Sequence, residues 1–195
     1  GLVRHPGGYL GEDIDVLYDI IHSGDESKRP YADSLIRDIE IAQGMDRVTG
    51  DYNEFWEKRD YLNHLHNMKA ALLMSHGFND WNVMPEHSLR IYEAVKEKGI
   101  PAKIFYHQGG HGGPPPLWLM NRWFTRFLLD VENGIEKPPY AYIVREGDDR
   151  TQPTAYEDYP HPAAENVVFY PGKGGTSTGT LTREKPSSQG SEVLT

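Results

Sequence analysis

The spacing of apolar positions changes at Lys69, and the change divides the chain. Before it, Ile14, Leu17, Ile20 and Ile21 recur at helical intervals behind the acidic start Gly11-Glu12-Asp13, and Ser23-Gly24 ends the run. A second helix is predicted from Tyr31 to about Gln43, with Leu35, Ile36, Ile39 and Ala42 apolar and Gly44 as the stop. Asp51 followed by Glu54 has the form of a capping box and predicts a third helix through Phe55, Trp56 and Tyr61. No repeat period links the three.

From Lys69 onward, short apolar runs alternate with helical ones. Ala70-Ala71-Leu72-Leu73-Met74-Ser75 suits a strand buried on both faces of a mostly parallel sheet, although its composition alone also suits a helix. The residues that follow favour the strand. A loop, Gly77-Phe78-Asn79-Asp80-Trp81-Asn82, leads to a helix with Pro85 in its first turn and Leu89, Ile91, Tyr92 and Val95 apolar, ended by Lys98-Gly99. A second strand, Ala102-Lys103-Ile104-Phe105-Tyr106-His107, runs into Gly109-Gly110-His111-Gly112-Gly113-Pro114-Pro115-Pro116. An amphipathic helix follows with Leu117, Met120, Trp123, Phe124, Phe127 and Leu128. This order predicts a parallel sheet with crossover helices, whose loops share one carboxyl edge. Asp80 and His111 are therefore expected to meet.

Such a meeting has a chemical use. A nucleophilic hydroxyl gives its proton to one imidazole nitrogen while the other donates to a buried carboxylate that fixes the tautomer. In α/β-hydrolases the chain order is serine, acid, histidine, and Asp80 and His111 fit the last two places. Each residue alone has a plainer reading, Asp80 as a turn residue or helix cap and His111 as part of a Gly-rich turn. Their joint placement favours the chemical one. Gly175-Thr176-Ser177-Thr178-Gly179 matches G-x-S-x-G literally, but it follows both residues within a Gly/Ser/Thr-rich stretch, so it is rejected as a nucleophile elbow. Ser75 is rejected because it lies within a strand. The serine is expected upstream of Gly1, outside this chain, and the opening at Gly1 rather than Met fits an excised fragment.

Other features change the picture little. Trp118, Trp123, Phe124 and Phe127 read as a helix face packed on a sheet rather than a stacking platform. His64 and His66 would share one face of a strand, yet no third ligand stands at a metal-site spacing, so neither a metal nor a cofactor is expected. A net charge of −9 without a Lys/Arg cluster argues against nucleic acid or anionic membrane as partner. The 195 residues hold 25% charged and 37% hydrophobic positions, ordinary for a soluble globular protein. They contain neither a bilayer-length apolar run nor a signal peptide. The absence of cysteine excludes disulfides and a thiolate nucleophile, and fits both a cytoplasmic and an exported protein.

Three stretches carry a family resemblance: Gly1-Leu2-Val3-Arg4 with Pro6-Gly7-Gly8-Tyr9 and Gly11-Glu12-Asp13; Ser75-His76-Gly77-Phe78-Asn79-Asp80-Trp81-Asn82-Val83; and His107-Gln108-Gly109-Gly110-His111-Gly112. Together they resemble bacterial Xaa-Pro dipeptidyl-peptidases, serine exopeptidases of the α/β-hydrolase class related to cocaine esterase and α-amino-acid ester hydrolases. The resemblance runs from Gly1 to about Tyr170. It implies that Asp80 is the triad acid and His111 the base, and that the substrate is a peptide with proline at its second position. Glu12, then Asp13, are candidates for binding the substrate amine, although both also suit a helix amino terminus. Trp81 is a further candidate for substrate contact.

The expected fold class is α/β: the last strands and helices of an α/β-hydrolase, after a helical cap segment and before the start of a β jelly-roll-like domain. Residues 1–137 would be the carboxyl-terminal part of the catalytic domain, with 1–68 the cap and 69–137 the acid and histidine strands. The resemblance implies that residues 138–195 open a truncated β-sandwich domain, with Ala141-Tyr142-Ile143-Val144 and Val167-Val168-Phe169-Tyr170 as early strands; both runs are β-branched and aromatic, and Pro138-Pro139 marks a boundary before them. The natural partner is the remainder of the same polypeptide. Without it, an unpaired sheet edge would favour association with other copies, as a homo-oligomer or an aggregate, and the fragment alone would be inactive. A related ester or β-lactam acyl hydrolase, and a non-catalytic α/β-hydrolase-like binding module, are the alternatives.

Overall fold

The computed structural model describes residues 18, 27, 29–46, 48–172 and 178–188. The first expected helix lies outside these residues except for Tyr18, as do Glu12, Asp13 and most of the rejected Gly175–Gly179 motif. Helix α1 (Arg29–Ala32) continues directly into a π-helix, Asp33–Ile41, in which Ala42 N–H donates to the Arg37 carbonyl five residues back. The expected second helix is thus present, but its packing face differs. Tyr18, Ala32 and Ile41 form the buried cluster, whereas Leu35, Ile36 and Ile39 are exposed. Wider π-winding moves an i, i+3, i+4 stripe off a single side, which explains the difference.

Helix α2 (Glu54–Glu57) is capped by Asn53 rather than Asp51: its side chain accepts from Phe55 N–H at 3.0 Å and Trp56 N–H at 3.4 Å. Asn53 is the extended residue immediately before the first turn, where an acceptor reaches the free amides. The chain does not carry this helix on to Tyr61. It turns and starts a 3₁₀-helix, Tyr61–Asn67, capped by Asp60. His64 and His66 lie on that 3₁₀-helix, not a strand, and no metal-holding cluster occurs among the described residues.

The remainder is built on one sheet. Strands β1 (Leu72–Gly77) and β2 (Ala102–His107) run parallel in register from Leu72 opposite Ala102 to Gly77 opposite His107. Helix α3 (Pro85–Glu97) connects them, with Pro85 in its first turn. Helix α4 (Leu117–Leu129) then leads to β3 (Ala141–Ile143), parallel to β2, and β4 (Thr154–Tyr156), antiparallel to β3, giving the order β1-β2-β3-β4.

Strand alternation sorts the core into two layers. Ala102, Ile104 and Tyr106 pack with Tyr92 and Val95 of α3, and Phe105 packs with Leu119 and Trp123 of α4. Ile104 and Phe105 are wholly buried, each worth roughly 1.5–3 kcal/mol relative to exposure. Burial on both faces therefore holds in full for β2. Strand β1 is only partly covered, because it forms the sheet edge.

Helix α4 has two apolar stripes rather than one. At about 100° per residue, Leu119, Trp123 and Phe127 fall on one side and Leu117, Phe124 and Leu128 on the other. The first stripe meets the sheet, and the second is exposed by 80%, 51% and 74%. Phe124 is thus not part of the packed face that the sequence suggested.

Beyond Pro138-Pro139 the expected strand at Ala141 forms and joins the sheet through β2. Val167, Val168 and Phe169 are exposed and outside any strand; pairing begins only at β5 (Tyr170–Pro171), opposite β6 (Leu181–Thr182). Two residues of partner strand cannot satisfy a longer ladder. Among the described residues, no helix is long and apolar enough to cross a membrane.

Candidate active site

Parallel pairing sends the loops after β1 and β2 out at the same edge, and there the two predicted residues meet. His111 Nδ1 lies 3.0 Å from Asp80 Oδ2, across 31 positions of sequence. Asp80 is 5% exposed, and its Oδ1 accepts the Asn82 and Val83 amides, each at 3.0 Å. The turn reading of Asp80 therefore holds for one oxygen, which closes the turn, while the other oxygen faces the imidazole. The Val83 amide, followed by His111 and the Asn82 amide, holds its carboxyl below the usual carboxylate range against the opposing effect of burial.

Contacts between the two loops set this geometry. Phe78 N–H donates to the His107 carbonyl at 2.7 Å, Asn79 N–H to Gly109 at 3.2 Å, and Asn79 Nδ2 to Gln108 at 2.6 Å. Gly112 and Gly113 have φ of +85° and +120°, values that disfavour side chains, and so let the loop reverse beside His111. The Gly113 carbonyl accepts from Ser75 Oγ at 2.7 Å. Ser75 thus ties a strand to the loop.

With Nδ1 on the carboxylate, His111 keeps Nε2 for another partner, and its side chain is 66% exposed. Trp81 is 72% exposed on the acid loop, beside the exposed Val83 and Met84. Beneath the loop, His107 is buried and its Nδ1 accepts from Gly109 N–H at 3.0 Å, which assigns the hydrogen to Nε2. Burial first, then the positive field of Arg150, lowers the pKa of His107.

The sequence reading missed His76. Its Nε2 lies 2.8 Å from the Val83 carbonyl oxygen and 3.2 Å from Asp80 Oδ2. The available signal was strand parity: His76 shares a face with Leu72 and Met74, on the α3 side of the sheet from which the acid turn leads.

Parallel strands whose loops bring an aspartate and a histidine together, with a crossover helix on each face, are the arrangement of an α/β-hydrolase-like fold. Comparison with known sequences makes this specific: the chain belongs to the X-Pro dipeptidyl-peptidase (S15) family, which it matches over residues 1–113. It is 61% identical over 182 residues to a Rhodopirellula baltica protein named "Putative Xaa-Pro dipeptidyl-peptidase", covering 93% of this chain and 29% of that protein. A Bacillus anthracis protein of the same name is 39% identical, over 75% of this chain and 24% of its own length. The Xaa-Pro dipeptidyl-peptidase of Lacticaseibacillus rhamnosus is 35% identical, over 86% and 22%. The chain thus spans less than a third of these relatives.

Proposed function

We propose that Asp80 and His111 are the acid and the general base of a Ser-His-Asp triad in a serine peptidase that removes Xaa-Pro dipeptides from peptide amino termini. The nucleophilic serine and the oxyanion-hole donors belong to sequence outside residues 1–195. The contact between His111 Nδ1 and Asp80 Oδ2 carries this reading, since it leaves Nε2 for a serine hydroxyl. In the reaction, Nε2 takes the serine proton as the oxygen attacks the carbonyl carbon of the proline, and then passes that proton to the leaving amine of the residue that follows. Water repeats the sequence on the acyl-enzyme. Asp80 holds the tautomer and stabilises the imidazolium that forms at each stage.

Within this reading Trp81 contributes apolar contact to the substrate, which its exposure beside Asp80 supports. Glu12, with Asp13 next, binds the free substrate amine through a charge-assisted hydrogen bond. Residues 1–137 form the end of the catalytic domain, with 1–68 as its cap, and residues 138–195 begin a jelly-roll-like β domain. The antiparallel pairs β3–β4 and β5–β6 support a β-rich segment there, although it starts by extending the catalytic sheet.

The test uses the full-length enzyme and an Ala-Pro amide. His111→Ala should lower kcat by about 10⁴-fold or more with its thermal unfolding unchanged; near-normal turnover in the folded variant overturns the triad. Glu12→Gln should lose kcat/KM on the free-amine substrate far more than on the same substrate acetylated at its amine. Equal losses on the two would remove Glu12 from amine recognition.

A further inference from the structure

Both oxygens of Asp80 have two polar neighbours. Oδ1 takes the Asn82 and Val83 amides, while Oδ2 faces His111 Nδ1 at 3.0 Å and His76 Nε2 at 3.2 Å. The His76 Nε2 atom also lies 2.8 Å from the Val83 carbonyl oxygen. A carboxylate and a carbonyl only accept, so Nε2 carries the hydrogen and shares it between them. The side chain that makes this bond is 11% exposed and belongs to the penultimate residue of β1, paired in register with Tyr106 of β2. It is therefore a donor mounted on the sheet, whereas Asp80 and His111 are mounted on loops.

We propose that His76 is a positioning residue for the triad acid: its Nε2–H fixes the Asp80 oxygen that receives His111, and through Val83 it fixes the turn that carries Asp80. This inference rests on the triad reading above. Val83 closes the arrangement, since its N–H holds Oδ1 while its carbonyl holds the same imidazole that holds Oδ2. Without His76 the turn retains its own amide contacts, but nothing from the sheet sets the direction of Oδ2. A carboxylate free to rotate loses alignment with His111 at the moment the imidazolium forms, so the defect belongs in kcat rather than in substrate binding.

Two replacements separate the donor from the bulk. Leucine keeps much of the volume and removes the N–H; glutamine offers an uncharged N–H at similar reach. In the full-length enzyme, His76→Leu should lower kcat by about tenfold to a hundredfold, as for one hydrogen bond to a charged group, with KM changed by no more than about twofold. His76→Gln should recover most of the loss. Adding His76→Leu to Asp80→Asn should cost little beyond Asp80→Asn alone, because the two act through one oxygen. Equal defects in the leucine and glutamine variants, a loss confined to KM, or full additivity with Asp80→Asn would each overturn the assignment. Failure of the triad itself is recognised separately, by a His111→Ala enzyme that keeps its turnover.

Discussion

Gly77 and Gly109 approach so closely that a β-carbon at position 77 would lie 2.2 Å from the Gly109 carbonyl oxygen, and 2.4 Å from that of Gly110. The acid loop and the histidine loop cross at this point, so the absence of a side chain at Gly77 is what lets Asp80 and His111 share one place. Backbone, not a flexible side chain, stands in the way of any substitution. Gly77→Ala must therefore displace the Gly109–Gly110 segment and His111 with it. The full-length variant is expected to lose at least about 10²-fold in kcat, the scale attached to a misplacement of roughly 1 Å. A variant with normal turnover and a normal His111–Asp80 distance in its crystal structure would contradict this.

Asp80 does two jobs with two oxygens, and substitutions should separate them. The amide side chain introduced by Asp80→Asn would retain one carbonyl oxygen for the Asn82 and Val83 amides, but it would turn an NH₂ toward His111 and His76. Asp80→Asn should thus fold and lose about 10⁴-fold in kcat through the wrong tautomer; Asp80→Ala should also unfold at lower temperature. The lowered pKa adds a sign. Since the folded value lies below the unfolded one, the carboxylate stabilises the fold above the ordinary carboxylate range, and this is lost as pH falls through the folded value. The stability difference between wild type and Asp80→Asn should shrink on acidification below about pH 4. A difference that grows there would reverse the assignment.

Ser75 is the serine nearest to the acid in sequence, and its hydroxyl is already committed to the Gly113 carbonyl. Ser75→Ala removes one neutral hydrogen bond, worth about 1 kcal/mol, and should leave turnover within about tenfold. Loss of a nucleophile costs on the order of 10⁶-fold. Turnover numbers for the full-length Ser75→Ala enzyme decide between these outcomes, and a loss of the larger size would move the nucleophile into this chain.

The meeting of Asp80 and His111 was legible in the sequence because it depends on element order: parallel strands must deliver their loops to one edge, whatever the packing details. Local periodicity served less well. The stripe Leu35, Ile36 and Ile39 failed because the helix winds as a π-helix, and Phe124 because α4 carries two apolar stripes whose spacing alone does not say which faces the sheet. The cap at Asn53 was overlooked in favour of Asp51, two residues earlier, since both side chains accept equally well and only the backbone path distinguishes them. His76 was missed for a different reason. Strand parity puts it on the α3 face, but its contacts depend on how far the turn at Asn82 and Val83 folds back over β1, a distance that spacing along the chain does not encode.

Lys103, the second residue of β2, is 1% exposed, with Nζ donating to the carbonyls of Lys137 at 2.8 Å and of Pro139. Burial is the main cause, with the charge of Arg122 adding to it and Glu136 opposing, that pushes its pKa down to about 8. An unfolded lysine stays charged to about pH 10.4. Below about pH 8 both states hold the proton and stability does not respond to this group. Between the two values the unfolded chain binds more protons than the folded one, so stability rises with pH. The effect is on the order of 3 kcal/mol over the whole window. Lys103→Met keeps an unbranched side chain and removes the charge, at the cost of leaving the two carbonyls without their donor. Measured by chemical denaturation of the full-length protein, wild type should therefore gain stability relative to Lys103→Met as pH rises from about 8 to about 10. Comparing the two proteins cancels the tyrosines that titrate nearby, including Tyr92, Tyr106 and Tyr142, all raised by burial. A difference that stays flat across this range would mean that Lys103 titrates in the folded protein as it does in the unfolded chain, and that the carbonyls of Lys137 and Pro139 compensate its burial in full.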